Sequence, residues 1–239
     1  MKGGRAALAL LTRIPMGTLD EIPRYTVAWF WLPGALAGII WYAAFYLFGS
    51  TGVGMIAAVT GEAILTGGLH WKGLAKTFDA WTADRSQRTV VRRTQGIGAA
   101  STVFLMLAAL SLWTLWQHGG ALVPADWIMP PLWGRAMMAW ALTWRRADAS
   151  SPFYGKVAAR SHNGAGAWVP LLLALVLGTL DFGFGAVNVF GGSLVLVGLF
   201  LWWGSRVFKG MNEDLLFASA LLTEVASLYL MVAMTPRIL

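Results

Sequence analysis

Seven stretches of mostly apolar residues follow one another along this chain, each bounded by charged or turn-forming residues, and they limit its possible folds more than any other feature. They run approximately over 27–48, 53–70, 97–115, 127–142, 167–180, 187–203 and 215–233. A helix needs roughly 20 such residues to cross a bilayer core of about 30 Å. Stretches of this number and length therefore point to a multi-pass membrane protein, the shorter ones fitting tilted or partly re-entrant helices. Only 12% of the residues are charged, against about 25% in an average soluble domain, too few to clothe a water-facing globule. A hydrophobic share of 57% excludes intrinsic disorder, and the lack of cysteine excludes a disulfide-stapled scaffold. The expected fold class is all-α: a polytopic membrane helix bundle of about seven transmembrane helices, forming a single membrane-embedded domain over residues 1–239.

The net charge of +7 reads first as topology, because cytoplasmic loops collect Lys and Arg. With the N-terminus inside, sixteen of the eighteen basic residues fall on the inner side. These are Lys2, Arg5, Arg13 and Arg24, then Lys72, Lys76, Arg85, Arg88, Arg92 and Arg93, then Arg145, Arg146, Lys156 and Arg160, and last Arg206 and Lys209. Only Arg135, inside a span, and Arg237, at the outer C-terminus, depart from the pattern. The segment 1–24 contains an apolar run from Arg5 to Leu11 that is too short to span and lacks a signal-peptide cleavage site. It is expected to lie on the cytoplasmic face. The basic run from Arg85 to Arg93 has no reading module around it, so lipid headgroup or phosphate contact is favoured and no nucleic-acid partner is expected.

Charges at membrane depth and on the inner rim carry the chemical information. Glu62 lies within the second stretch, where an ionised side chain costs roughly 2.5–3.5 kcal/mol on insertion scales, so it needs a cavity or a partner. Arg135 is a candidate partner, either as a structural pair or as part of a site. Asp214 and Glu224, ten residues apart, point about 80° apart on a helix and border one cleft at different depths in a site reading. In the plainer reading, Asp214 is a helix-start residue that complements the dipole. Lys72, Lys76 and Asp79 follow i, i+4, i+7 spacing and share one helix face, while Gly67, Gly68 and Gly73 permit close approach by another helix or by a phosphate. That face suits an anionic ligand, although lysines beside a span also serve orientation alone. His70 is a candidate base, ligand or interfacial residue. No Walker loop, dinucleotide fingerprint or HExxH motif is present.

These residues resemble a known family. Leu11-Thr12-Arg13-Ile14-Pro15, the Trp29–Gly38 segment, Leu65–His70 followed by Gly73-Leu74-Ala75, Ile97-Gly98, and the closing Gly210, Asp214 and Glu224 look like cobalamin-5'-phosphate synthase, also called adenosylcobinamide-GDP ribazoletransferase. The resemblance covers nearly the whole chain in order. It implies a multi-pass enzyme of the cytoplasmic (inner) membrane that joins adenosylcobinamide-GDP, a nucleotide-activated cobinamide, to α-ribazole or its 5'-phosphate. GMP is released and Mg²⁺ is the cofactor. In an active enzyme of this kind the candidate roles are catalytic for Asp79, His70 and Glu62, phosphate-holding for Lys72, Lys76, Arg93, Arg135, Gly67, Gly68 and Gly73, and metal-binding for Asp79, Asp214 and Glu224.

The sequence departs from the family's pattern at its acidic residues. Lys72 and Lys76 stand where the pattern has aspartates, Asp79 matches the third, Thr94 replaces another Asp, and Leu221 replaces a Glu. Mg²⁺ requires hard carboxylate oxygens, whereas two ammonium groups beside one carboxylate attract phosphate directly. A lysine supplies charge and donors but no open coordination site, so Lewis-acid activation is not expected in its usual form. Two readings follow: an active ribazoletransferase, or a catalytically impaired relative that keeps the fold and an anion-binding site and acts as a binding or scaffold protein. A related membrane phosphotransferase with another substrate ranks third.

Overall fold

The seven apolar stretches are largely helical in the computed structural model, which describes residues 2–19, 21–94, 96–143, Val157 and 165–235. Ten helices are described: α1 (Lys2–Leu11), α2 (Trp31–Phe48), α3 (Gly52–Thr66), α4 (Leu69–Thr82), α5 (Arg88–Arg93), α6 (Ala99–His118), α7 (Met129–Ala141), α8 (Ala165–Phe182), α9 (Gly185–Val207) and α10 (Glu213–Met234). No strand occurs among the described residues. Arg145, Arg146, Lys156, Arg160 and Arg237, used above for orientation, lie outside the described residues.

Four helical segments are long and apolar enough to cross a membrane: Val27–Phe48, Ala99–Ala121, Gly185–Val207 and Glu213–Met234. The pair α3 and α4 makes a fifth if it is one span, but it is bent by 88°. The continuous helix expected over 53–70 is therefore corrected. It stops at Thr66 because Gly67 and Gly68 both take left-handed backbone conformations, with φ of 67° and 68°. Only glycine adopts two such conformations in succession without steric cost.

Helix α7 is the axis of the bundle. Every residue in it except Trp140 is buried, as expected of a helix that is apolar all round. It packs against α2, α8 and α10. Small residues bring the backbones together: a Cβ on Gly34 would lie 3.0 Å from Leu132 Cα, one on Gly38 would lie 2.5 Å from Ile128 O, and one on Gly134 would lie 3.0 Å from Ala220 O. Gly34 and Gly38 form the four-residue small-residue spacing that lets helices pack closely without a hydrophobic driving force. Large apolar side chains such as Ile39, Leu47, Ile64, Leu107, Leu172 and Leu199 are exposed on the outside, a distribution suited to lipid rather than water.

The N-terminal helix does more than rest on a surface. Ala6, Ala7 and Leu11 are buried as α1 packs on α2 and on the 3-10 turn Val27–Trp29. Just beyond it, the Arg13 N–H donates to Leu65 O at 2.7 Å, fixing this segment to the end of α3.

Candidate functional site

Helix α4 carries the shared face of Lys72, Lys76 and Asp79, and the fold closes other chain segments onto it. Lys72 is exposed, whereas Lys76 and Asp79 are only 7% and 9% exposed. The Lys76 ammonium donates to the carbonyls of Thr94 and Gly96. Asp79 accepts the Gly98 N–H on Oδ2 and the Ser101 N–H on Oδ1, both at 2.9 Å. It therefore caps α6, whose own N-cap residue, Gly98, has no side chain to do so. A Cβ at Gly98 would lie 2.5 Å from Asp79 Oδ1, so this contact depends on glycine.

The start of α10 packs beside this face. Gly73 lets the helices touch: a Cβ there would lie 2.5 Å from Phe217 Cβ and 2.7 Å from Asp214 O. Asp214 Oδ2 accepts from Arg92 Nε at 2.9 Å, and Lys72 is near enough for its charge to act on the same carboxylate. Arg88 donates to Val207 O at 3.0 Å, clipping α5 across the rim. A cavity of about 440 Å³ opens here, lined by Lys76, Asp79, Thr82, Thr94, Gly96 and Gly98 among others. Arg93, expected to hold phosphate, is exposed on α5.

The second cluster lies inside the bundle. Arg135, fully buried on α7, donates from Nη2 to Glu62 Oε1 and from Nη1 to Glu224 Oε1. Trp41 Nε1 donates to the other oxygen of Glu62 at 2.8 Å. Arg135 Nη2 also lies 3.2 Å from His70 Nδ1. A guanidinium has no acceptor, so His70 Nδ1 accepts and the ring proton sits on Nε2, which has no hydrogen-bond partner among the described residues. The cluster joins α2, α3, α4, α7 and α10.

Glu62 and Arg135 thus pair as expected, with Glu224 as a further partner. Asp214 pairs with Arg92 and Glu224 with Arg135. Gly67 lies against the Arg13 guanidinium, Gly68 has open space around it, and Gly73 forms the α4–α10 crossing. The face thus gains two basic residues, Arg88 and Arg92, that were not singled out above. Their signal was present, because residues four apart on a helix share a face.

Mg²⁺, implied by the resemblance, does not fit the residues present. Both oxygens of Asp79 already accept backbone N–H groups, Asp214 is bound to Arg92, and Glu224 is bound to Arg135. Among the described residues no group of three or more His, Cys, Asp or Glu side chains is placed to hold a metal.

The family model of cobalamin-5-phosphate synthase matches residues 3–232. Among curated proteins, an adenosylcobinamide-GDP ribazoletransferase of Shewanella baltica is 34% identical over 124 residues. One of Shewanella putrefaciens is 33% identical over the same length. Each match covers 46% of this chain and 45% of the relative, so the similarity spans about half the length of either protein. No solved structure matches. The family model extends over almost the whole chain, including every helix that builds the rim and the buried cluster, and the chain belongs to the cobalamin-5-phosphate synthase family.

Proposed function

We propose that this protein is an adenosylcobinamide-GDP ribazoletransferase, joining adenosylcobinamide-GDP to α-ribazole or its 5'-phosphate and releasing GMP. One observation carries the reading: the separate segments that resemble the family, around 65–79, 94–98 and 210–214, converge on one cationic face of α4. The finer topology belongs to the same proposal, with seven crossings of the cytoplasmic membrane, the N-terminus inside and the α4 face on the cytoplasmic rim.

In this reaction the ribazole hydroxyl bonds to the β-phosphorus, the one that carries cobinamide. The bond from that phosphorus to the bridging oxygen breaks, and GMP leaves with that oxygen. Phosphoryl transfer of this kind depends mainly on positioning and on charge placed against the phosphate oxygens. Lys72 and Lys76 supply that charge, with Arg93 at the edge. Asp214, bound to Arg92 through one oxygen, receives the hydroxyl proton. Glu62, His70, Arg135 and Glu224 act as positioning residues, holding α3, α4, α7 and α10 in register behind the face.

Purified full-length protein in detergent, given adenosylcobinamide-GDP and α-ribazole 5'-phosphate, is expected to form GMP above a blank from membranes lacking it. Absence of turnover with and without Mg²⁺, with both substrates shown intact, sinks the proposal.

A further inference from the structure

Two carboxylates at the rim, Asp79 and Asp214, are held from within the chain. Asp79 gives its oxygens to the first turn of α6, and Asp214 gives one to Arg92. A buried cation already stands among them, the Lys76 ammonium, gripped by two backbone carbonyls much as carbonyl oxygens grip a bound metal ion. Two of its three N–H donors are used there, and the side chain forms part of the cavity wall. Lys72, one turn earlier on the same face, is exposed.

We propose that this site takes a nucleoside diphosphate without a divalent cation, its phosphate charge being met by Lys72 and Lys76. The inference rests on the transferase reading and changes its cofactor: the charge that a metal ion delivers from solution is tethered to α4. A site of this kind prefers the free diphosphate, because Mg²⁺ bound to the ligand cancels the charge that the lysines attract.

GDP is the probe, titrated calorimetrically into the purified full chain in detergent, once in EDTA and once in excess MgCl₂. Binding is expected to be at least as tight in EDTA. Lys72→Ala, an exposed change that leaves the core untouched, is expected to weaken it about tenfold, the worth of one charge-assisted contact. Binding that appears only with Mg²⁺, or that ignores Lys72→Ala, overturns the inference and leaves the transferase reading standing. No GDP binding in either buffer overturns the inference and the assignment of this face as the nucleotide site.

Discussion

At the scale of the residue, Arg135 is the most consequential side chain in the bundle. An arginine with no exposure is costly to place in an apolar interior, and only close pairing offsets the loss of its hydration. Its planar fork lets one guanidinium face Glu62 and Glu224 together, which a lysine ammonium on a flexible stem does poorly. Arg135→Met leaves two buried carboxylates without their cation and is expected to cost about 3–5 kcal/mol. Arg135→Lys should cost less. Adding Glu62→Gln and Glu224→Gln to Arg135→Met is expected to recover part of the loss, since neutral amides bury more cheaply. Thermal denaturation in detergent measures the series, and a Met variant that melts with wild type removes the cluster from the account of stability. The pairing of Glu62 with Arg135 was legible in the sequence because opposite charges at membrane depth need each other. Its extension to Glu224 was not, since the sequence grouped that residue with Asp214 at one cleft, and only the packing of α10 on α7 brings it to Arg135.

At the scale of the element, hydropathy locates helices and is blind to their bends. The stretch 53–70 is apolar on both sides of Gly67-Gly68, so nothing in its composition marks the 88° turn between α3 and α4. The double glycine is the readable sign, and its left-handed conformations explain the turn. The cap of α6 is harder to see. Gly98 lacks a capping side chain, and its substitute is Asp79, from a different helix. The bend can be tested without disturbing packing, because a Cβ on Gly68 meets nothing within 4 Å. Gly68→Ala is expected to cost about 1–2 kcal/mol from backbone conformation alone. Gly68→Asn should cost less, because asparagine tolerates the left-handed region better. Gly67→Ala adds a clash, its Cβ falling 2.2 Å from Arg13 Nε. Equal melting temperatures for Gly68→Ala and wild type would mean that the turn is not held in this conformation.

At the scale of the whole molecule, the one-sided distribution of basic residues makes a definite claim about orientation. Lys and Arg near the cytoplasmic leaflet gain about 1 kcal/mol each from anionic lipid, and the turn between α4 and α5, with α5 itself, concentrates four arginines, Arg85, Arg88, Arg92 and Arg93. The connection after α6 has no basic residue from Gly119 to Ile128. Since the chain has no cysteine, single cysteines report position against an empty background. Ser86 and Gly120 are both exposed, the first between α4 and α5 and the second just beyond α6; Met234 is exposed at the end of α10. Ser86→Cys is expected to react with a membrane-impermeant maleimide only in inside-out vesicles, and Gly120→Cys in intact spheroplasts. Met234→Cys decides whether the number of crossings is odd or even, because α10 ends on the Gly120 side only if an odd number of spans separates it from an inner N-terminus. Labelling of Met234→Cys in intact spheroplasts means an odd number of crossings, as seven requires. Labelling only from the inner side would mean that a helix beyond Gly120, such as the 13-residue α7, enters and leaves by the same face. The α4 face would keep its cytoplasmic position in either case, since Ser86 reports that independently.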